Sequence, residues 1–595
     1  MPGPLLAVLA AALLGACALP QRSSPAPVVV LSPAPRPAPA PASAPPVRAG
    51  AERVFPAPAI ASPVRPSPPV VFTPLPTPIV PAAIAARFPE PAVTFATPAF
   101  EPNRTTFTGN DELRAILHGL ERSATIGEHA SEVAVLPLGV SQVGTPIEAL
   151  AFTRPPAPPA LAGAAPAVVG APLRRPTVVV VAAQHGDEPA GTEALIVVAQ
   201  ELAAGRLAGV LDRVDVVLLP RANPDGAAAF TRGAADGTDV NRDHLLLQTP
   251  EARAIAQLLA SFAPIVVLDL HEYPVGGAFT AKFGGVQRFD ALLQYATTAN
   301  MAPFVTKAAE EWFRLPLVAG LRSAGLSADW YATVSADPAD KTLSMGSVGP
   351  QVGRNASGLR HAVSLLVETR GGGLGRVDLK RRVQSQVVAT TNVLASAARH
   401  ADDLTKLRQF VDRETASFAC QGQVVVEAAP TPSEYAYQLI DAVSGEIRHI
   451  NVAWESALQL RTLKSRPRPC GYWLAPGQSD AVRRLRLLGV EVQQLDELGE
   501  LRGEAYREVG REAVAGGAAA NAGGATRLKV QMQPALLDVA AGGYYVSLEQ
   551  PLAHLAVAVL EPEAPASFAA NGVIADLGGE ARILLRPAIR MTAVP

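Results

Sequence analysis

Two short segments of this chain collect side chains from which a hydrolytic metal site can be built. Gln184-His185-Gly186-Asp187-Glu188 sets an imidazole and a carboxylate three residues apart around a glycine, and Asp269-Leu270-His271-Glu272 offers a second imidazole. On a tight turn His185 and Glu188 can face one ion, and His271 can complete the set. Two histidines and one carboxylate, with a position left open for water, form the ligand set of a hydrolytic zinc site, because zinc lowers the pKa of water to about 7. One zinc per chain is expected, with Glu368 as general base. Cations gather between these segments, in Arg221-Ala222-Asn223-Pro224-Asp225-Gly226, at Arg232 and in Asp239-Val240-Asn241-Arg242-Asp243. Arg242 with Asn241 can clamp a substrate carboxylate through bidentate hydrogen bonds. Arg232 can neutralise an oxyanion, with Arg221 as competitor for that role, and Asp239 can orient a metal-facing imidazole through its other nitrogen.

Such residues work only if the backbone brings them to one place. The β-branched run 177–183 reads as a buried strand, followed by a helix over 190–205 that ends at a glycine. A strand over 214–220, a helix over 250–263 and strands over 265–271 and 362–369 continue the alternation. Strands alternating with helices imply an α/β fold with a mixed, mainly parallel twisted sheet flanked by helices, whose ligands bind outside the carboxyl ends of the strands. The metal-type residues fall at those ends. Strand alternation turns Glu272 away from His271 and keeps Asp269 on its face. His244 and His361 lie outside the ordered motif set and read as structural.

Taken in order, HGDE, NPDG, Arg232, DVNR, DLH and VETR match a pattern of HxxE, NPDG, Arg, DxNR, His and Glu. With it the chain resembles the zinc carboxypeptidases similar to carboxypeptidase A, with their succinylglutamate desuccinylase and aspartoacylase relatives, from about Asn110 to Arg399. The resemblance implies His185, Glu188 and His271 as zinc ligands, Glu368 as base and proton shuttle, and Arg232 as the transition-state electrophile. It implies Asn241 and Arg242 as holders of the terminal carboxylate. Asp187 stands where carboxypeptidase A has an arginine, and no tyrosine stands at the family's usual distance before Glu368. The Gly-rich segment 346–360 before the Glu368 strand is expected to cover the cleft and to offer Arg354 as a further substrate contact.

The chain has 595 residues, room for roughly three domains at about 150 to 200 residues each. Its 51 basic and 53 acidic side chains carry no long basic run, which argues against a nucleic-acid partner. Residues 5–16 form an apolar stretch too short to span a bilayer, and Leu14-Gly15-Ala16-Cys17 resembles a bacterial lipobox. The reading is a signal peptide over 1–17 and a lipid anchor at Cys17 to a membrane, which makes the protein an exported periplasmic or cell-envelope lipoprotein. An ordinary secretory signal is the alternative, since no Lys or Arg precedes Leu5. Because 25 of the 56 prolines fall in the first 100 residues, 18–103 reads as a disordered Pro/Ala-rich linker, with a catalytic domain over 104–403. Residues 404–595 read as a mixed β-rich extension with short strands in QVVVEA, YAYQLID and GEIRHINVA and a helix in SDAVRRLRLLG. Cys420 and Cys470 remain as an even pair for which a disulfide is chemically allowed in an oxidising compartment. The expected activity is hydrolysis of a C-terminal amide in a peptide or a peptidoglycan stem peptide. The alternatives are cleavage of an N-acyl amino acid, or a tethered scaffold without activity.

Overall fold

The computed structural model describes residues 80–123, 132–154, 175–513 and 526–594. The signal segment, Cys17 and the linker through residue 79 lie outside the described residues. So do most of the Pro/Ala-rich insertion after Arg154 and most of the Gly/Ala-rich stretch after Gly516.

Eight strands form the sheet that carries the metal-type residues: β1 (Glu132–Val140), β2 (Pro146–Thr153), β3 (Thr177–Ala182), β4 (Asp215–Leu219), β5 (Val266–Pro274), β6 (Ala291–Tyr295), β7 (Ala328–Trp330) and β8 (Val363–Gly372). Their order is β1-β2-β4-β3-β5-β8-β6-β7, and the central four, β4-β3-β5-β8, are parallel throughout. The antiparallel pairs β1-β2, β2-β4 and β8-β6 make the sheet mixed, as expected. β3 shows why its sequence reads as an unbroken apolar run. Val178, Val180 and Ala182 join a core with Leu195 and Val393, while Val179 and Val181 join another with Ile255 and Leu259. Helices Ala190–Ala203 and Leu379–Arg399 contribute to the first core and helix Pro250–Phe262 to the second, so neither face of the strand meets water.

Three sequence expectations require correction. Residues 80–103, expected within the disordered linker, are packed: Ile84 and Phe88 bury against Ile440, and Ala99 against Ala190, Leu379 and Val383. Arg370 lies 3.8 Å over the Phe88 ring, and Arg376 donates to Ala99 O and Thr106 O at 2.7 and 2.6 Å. Proline prevents helix and sheet propagation, but it does not prevent an extended chain from docking apolar side chains. The boundary expected at residue 404 falls inside the helix Ala401–Ser417. Finally, QVVVEA and YAYQLID are one strand, Gln423–Asp441, paired antiparallel with Ile447–Pro467. Pro430 and Pro432 lie between the two segments, and the ladder absorbs them with a register shift at Pro430/Thr431.

The two long strands belong to a five-stranded sheet that also takes Gly285–Gln287, Thr333–Val334 and Leu343–Ser344 from the region between β5 and β8. A seven-stranded sheet is built from residues 471–593, and its core is shared with Leu245, Leu246, Leu247 and Leu359. Cys420 and Cys470 form a disulfide.

Candidate metal centre and active site

Beyond β3 the backbone turns through Ala183, at a left-handed φ of 50°, and Gln184 into His185. Gly186 is demanded by contact rather than by φ: a Cβ there would stand 1.8 Å from the Gly226 carbonyl carbon and 2.2 Å from Ala227 N. The Asn223-Pro224-Asp225-Gly226 turn is therefore the wall against which the His185 turn is laid. Asn223 accepts from Gly226 N at 2.9 Å as cap of the helix Pro224–Ala229, and its Nδ2 donates to Gln184 O at 3.2 Å.

The expected ligands converge. His185, Glu188 and His271 are all buried, and their ligand atoms lie within 4.8 Å of one another. His185 Nδ1 stands 2.7 Å from Glu188 Oε1, His271 Nδ1 stands 2.8 Å from Glu188 Oε2, and the two Nδ1 atoms are 3.1 Å apart. Each second ring nitrogen has its own carboxylate: His185 Nε2 lies 3.1 Å from Asp239, and His271 Nε2 lies 2.9 Å from Asp269. Carboxylates on both Nε2–H groups leave both Nδ1 lone pairs facing Glu188, a donor set suited to a dication. Burial alone would raise the Glu188 carboxyl, but the imidazoles of His185 and His271 outweigh it and hold it well below the usual range.

Glu368 is the register partner of His271 across the parallel β8-β5 pair, so the two side chains emerge on the same side of the sheet. Burial pushes its carboxyl up to about 7; Glu188 adds to the rise, while His271, His185 and Arg232 oppose it. Arg370, two residues on, pairs instead with Asp378 at 2.7 Å.

The arginines separate by geometry. Arg232 is half-exposed, holds Asp239 Oδ2 at 3.0 Å and reaches to 3.6 Å from Glu188 Oε1. Arg221 points away, donating to Asn110 Oδ1 and Thr108 O at 2.7 Å each, so it does not compete with Arg232. Arg242 donates to Asn241 O at 2.8 Å. Asn241 is buried, with Oδ1 accepting from Gly353 N at 2.7 Å and Nδ2 3.0 Å from His271 Nε2, so its amide oxygen is engaged within the protein. Arg354 is buried and donates to Ser347 O at 2.7 Å. Asp187 Oδ1 is buried without a hydrogen-bond partner among the described residues, and burial raises its carboxyl.

Several residues at the site carried no motif. Gln184 bridges His244 and Asp269, with its Oε1 2.7 Å from His244 Nε2 and its Nε2 donating to Asp269 Oδ1 at 2.7 Å. Burial lowers His244 to about 4, so it serves this chain as a neutral ring. Glu272 lies on the opposite face, as alternation required, and binds Arg382 at 2.6 Å. Tyr331 comes from just beyond β7 to stand near Arg354, its ring 5.9 Å from the guanidinium carbon, in the electrostatic neighbourhood of Glu368, Arg242 and Arg232. Only sheet pairing brings it there, so no spacing relative to Glu368 signals it.

The zinc carboxypeptidase family profile matches residues 123–263, a span that holds His185, Glu188, Arg232, Asn241 and Arg242. Carboxypeptidase 2 of Trichophyton rubrum is 29% identical over 401 residues, covering 66% of this chain and 72% of that protein. Carboxypeptidase D of Mus musculus is 32% identical over 217 residues, 31% of this chain and 15% of its own. Among solved structures, a metallo-carboxypeptidase from Burkholderia cenocepacia aligns with a TM-score of 0.34 at 16% identity, over 49% of this chain and 70% of that one.

Proposed function

We propose that the chain is a zinc carboxypeptidase, as its match to that family's profile and its likeness to carboxypeptidase 2 support, and that it releases the C-terminal residue of a peptide by attack of water on the last amide bond. The observation that carries this reading is the buried His185–Glu188–His271 cluster with Glu368 in register beside His271. Those three residues would hold zinc, which when bound supplies a Lewis acid and lowers the pKa of water to about 7.

The protein's own groups do the rest. Arg242 binds the terminal carboxylate with its planar fork, which sets the last amide bond at the site. Arg232 faces the carbonyl oxygen and stabilises the negative charge that gathers there. Glu368 takes a proton from the attacking water as the C–O bond forms and delivers it to the amide nitrogen as the C–N bond breaks. A carboxyl held at about 7 by burial suits both halves of that exchange. Asp239 keeps the His185 ring in its metal-facing tautomer, and Asp269 does the same for His271.

We place the enzyme in the cell envelope as a lipoprotein anchored at Cys17. The apolar segment before that cysteine and the Cys420–Cys470 disulfide support an exported chain. Peptides, including peptidoglycan stem peptides, are then the available substrates. The test is zinc content and C-terminal residue release from a peptide panel, for wild type and Glu368→Gln. Both proteins are expected to bind one zinc per chain, with release by the variant slowed about 10²- to 10⁴-fold. Zinc binding without peptide cleavage would favour N-acyl amino acids as substrates, and absence of bound metal would leave a tethered scaffold.

A further inference from the structure

The carboxypeptidase reading leaves one cation of the site without a task. Arg354 is 5% exposed, and among the described residues no carboxylate lies in ion-pair contact with it. Its Nη2 donates to Ser347 O at 2.7 Å, while Nε is buried with no partner among the described residues. By contrast, Arg232 is balanced by Asp239 at 3.0 Å and Glu188 at 3.6 Å. A guanidinium removed from water without a counter-ion is unfavourable, and an entering anion relieves that state.

The surroundings hold Arg354 in place. Asn355 Nδ2 donates to Ser347 O at 3.2 Å and to Gly349 O at 2.8 Å, which fixes the carbonyl that Arg354 uses. Gly346, at φ +78°, leaves room that a Cβ would fill, 2.7 Å from Tyr331 Cε1 and 3.3 Å from Arg354 Nη2. Gly353 N donates to Asn241 Oδ1 at 2.7 Å, so the residue preceding Arg354 is tied to a buried side chain that lies against His271. Asn241 directly precedes Arg242 in the chain, so the same hydrogen bond ties the segment that carries Arg354 to the residue that takes the substrate's α-carboxylate.

We propose that Arg354 selects substrates whose C-terminal residue carries a second carboxylate, a glutamate or aspartate side chain, with Arg242 holding the α-carboxylate and Arg354 the side-chain one. The proposal rests on the carboxypeptidase reading. An apolar terminal side chain leaves the buried guanidinium unpaired, and a lysine or arginine terminus adds a like charge.

The experiment uses the full-length zinc-loaded chain and a peptide series differing only in the last residue: Glu, Asp, Leu, Phe and Lys. Wild type is expected to favour Glu and Asp ends over Leu and Phe by at least 100-fold in kcat/KM. Arg354→Gln is expected to lose most of that ratio, and Arg354→Lys to recover part of it. Calorimetric binding of free glutamate against leucine to the same proteins supplies a readout independent of turnover: glutamate binds more tightly only where residue 354 is cationic. Wild type that cleaves Leu or Phe ends as well as Glu ends, or binds leucine as tightly as glutamate, overturns the proposal whether or not the variants fold. Failure to cleave any peptide counts against the carboxypeptidase reading, and the glutamate–leucine comparison then decides the role of Arg354.

Discussion

Each histidine of the His185–Glu188–His271 cluster has a carboxylate behind it, but the two carboxylates are held differently. Asp239 is shared with half-exposed Arg232, whereas Asp269 is buried and tied to Gln184. Asp269→Asn keeps the shape and removes the acceptor charge, so zinc affinity measured by chelator competition is expected to fall about 10- to 100-fold. Asp269 was legible as lying on the face of His271, but its partner Gln184 was not, because a glutamine one residue before a ligand has no distinguishing pattern. His554 is buried with both ring nitrogens unpartnered among the described residues, and burial first, then Arg468 and His361, lower it to about 3. The folded value lies below the unfolded one of about 6.5, so the unfolded chain binds the extra proton. The associated stability is fully present above about pH 6.5 and is lost as pH falls toward the folded value, at up to about 1.4 kcal/mol per pH unit. Urea midpoints at pH 7 and pH 4.5 are therefore expected to differ more for wild type than for His554→Leu.

At the scale of elements, the two turns that seem independent in the sequence are one structure. NPDG reads as a common turn whose proline and glycine explain themselves, and HGDE as a ligand pair spaced by a small residue. The contacts are one-sided: a Cβ on Gly186 would strike the Gly226 backbone, whereas one on Gly226 would strike Asn223 Nδ2 at 2.5 Å and Gly233 O at 2.6 Å, so Gly186 is the glycine that lets the two turns meet. Gly186→Ala places a methyl group where backbone already lies, and overpacking of that kind costs ~3 kcal/mol. The expected result is a lower thermal midpoint together with loss of zinc binding, whereas alanine at an exposed turn would leave both unchanged. The parallel pairing of β5 with β8 is the second decisive element. A register slip of one residue would turn Glu368 to the opposite face, so the buried alternation of both strands protects the chemistry as well as the core.

For the whole molecule, the C-terminal residues are integrated rather than appended. They supply the long ribbon of the five-stranded sheet, and they share a core with the leucines that follow His244. The Cys420–Cys470 disulfide closes a loop of 50 residues at the start of this region. Loop-closure entropy for that length corresponds to about 4 kcal/mol. Chemical denaturation with and without reductant, or of Cys420→Ser, is expected to show a loss of that order. By itself the sequence determined the central α/β alternation and the placing of His185, Glu188, His271 and Glu368 at strand ends, because strand runs and residue spacing are local properties of the chain. Tertiary structure alone decided that residues 80–103 pack, that Arg221 turns away from the site while Arg232 turns in, and that Tyr331 stands beside Arg354. Those outcomes depend on which distant surfaces meet, and contact between surfaces leaves no period or spacing in a single chain.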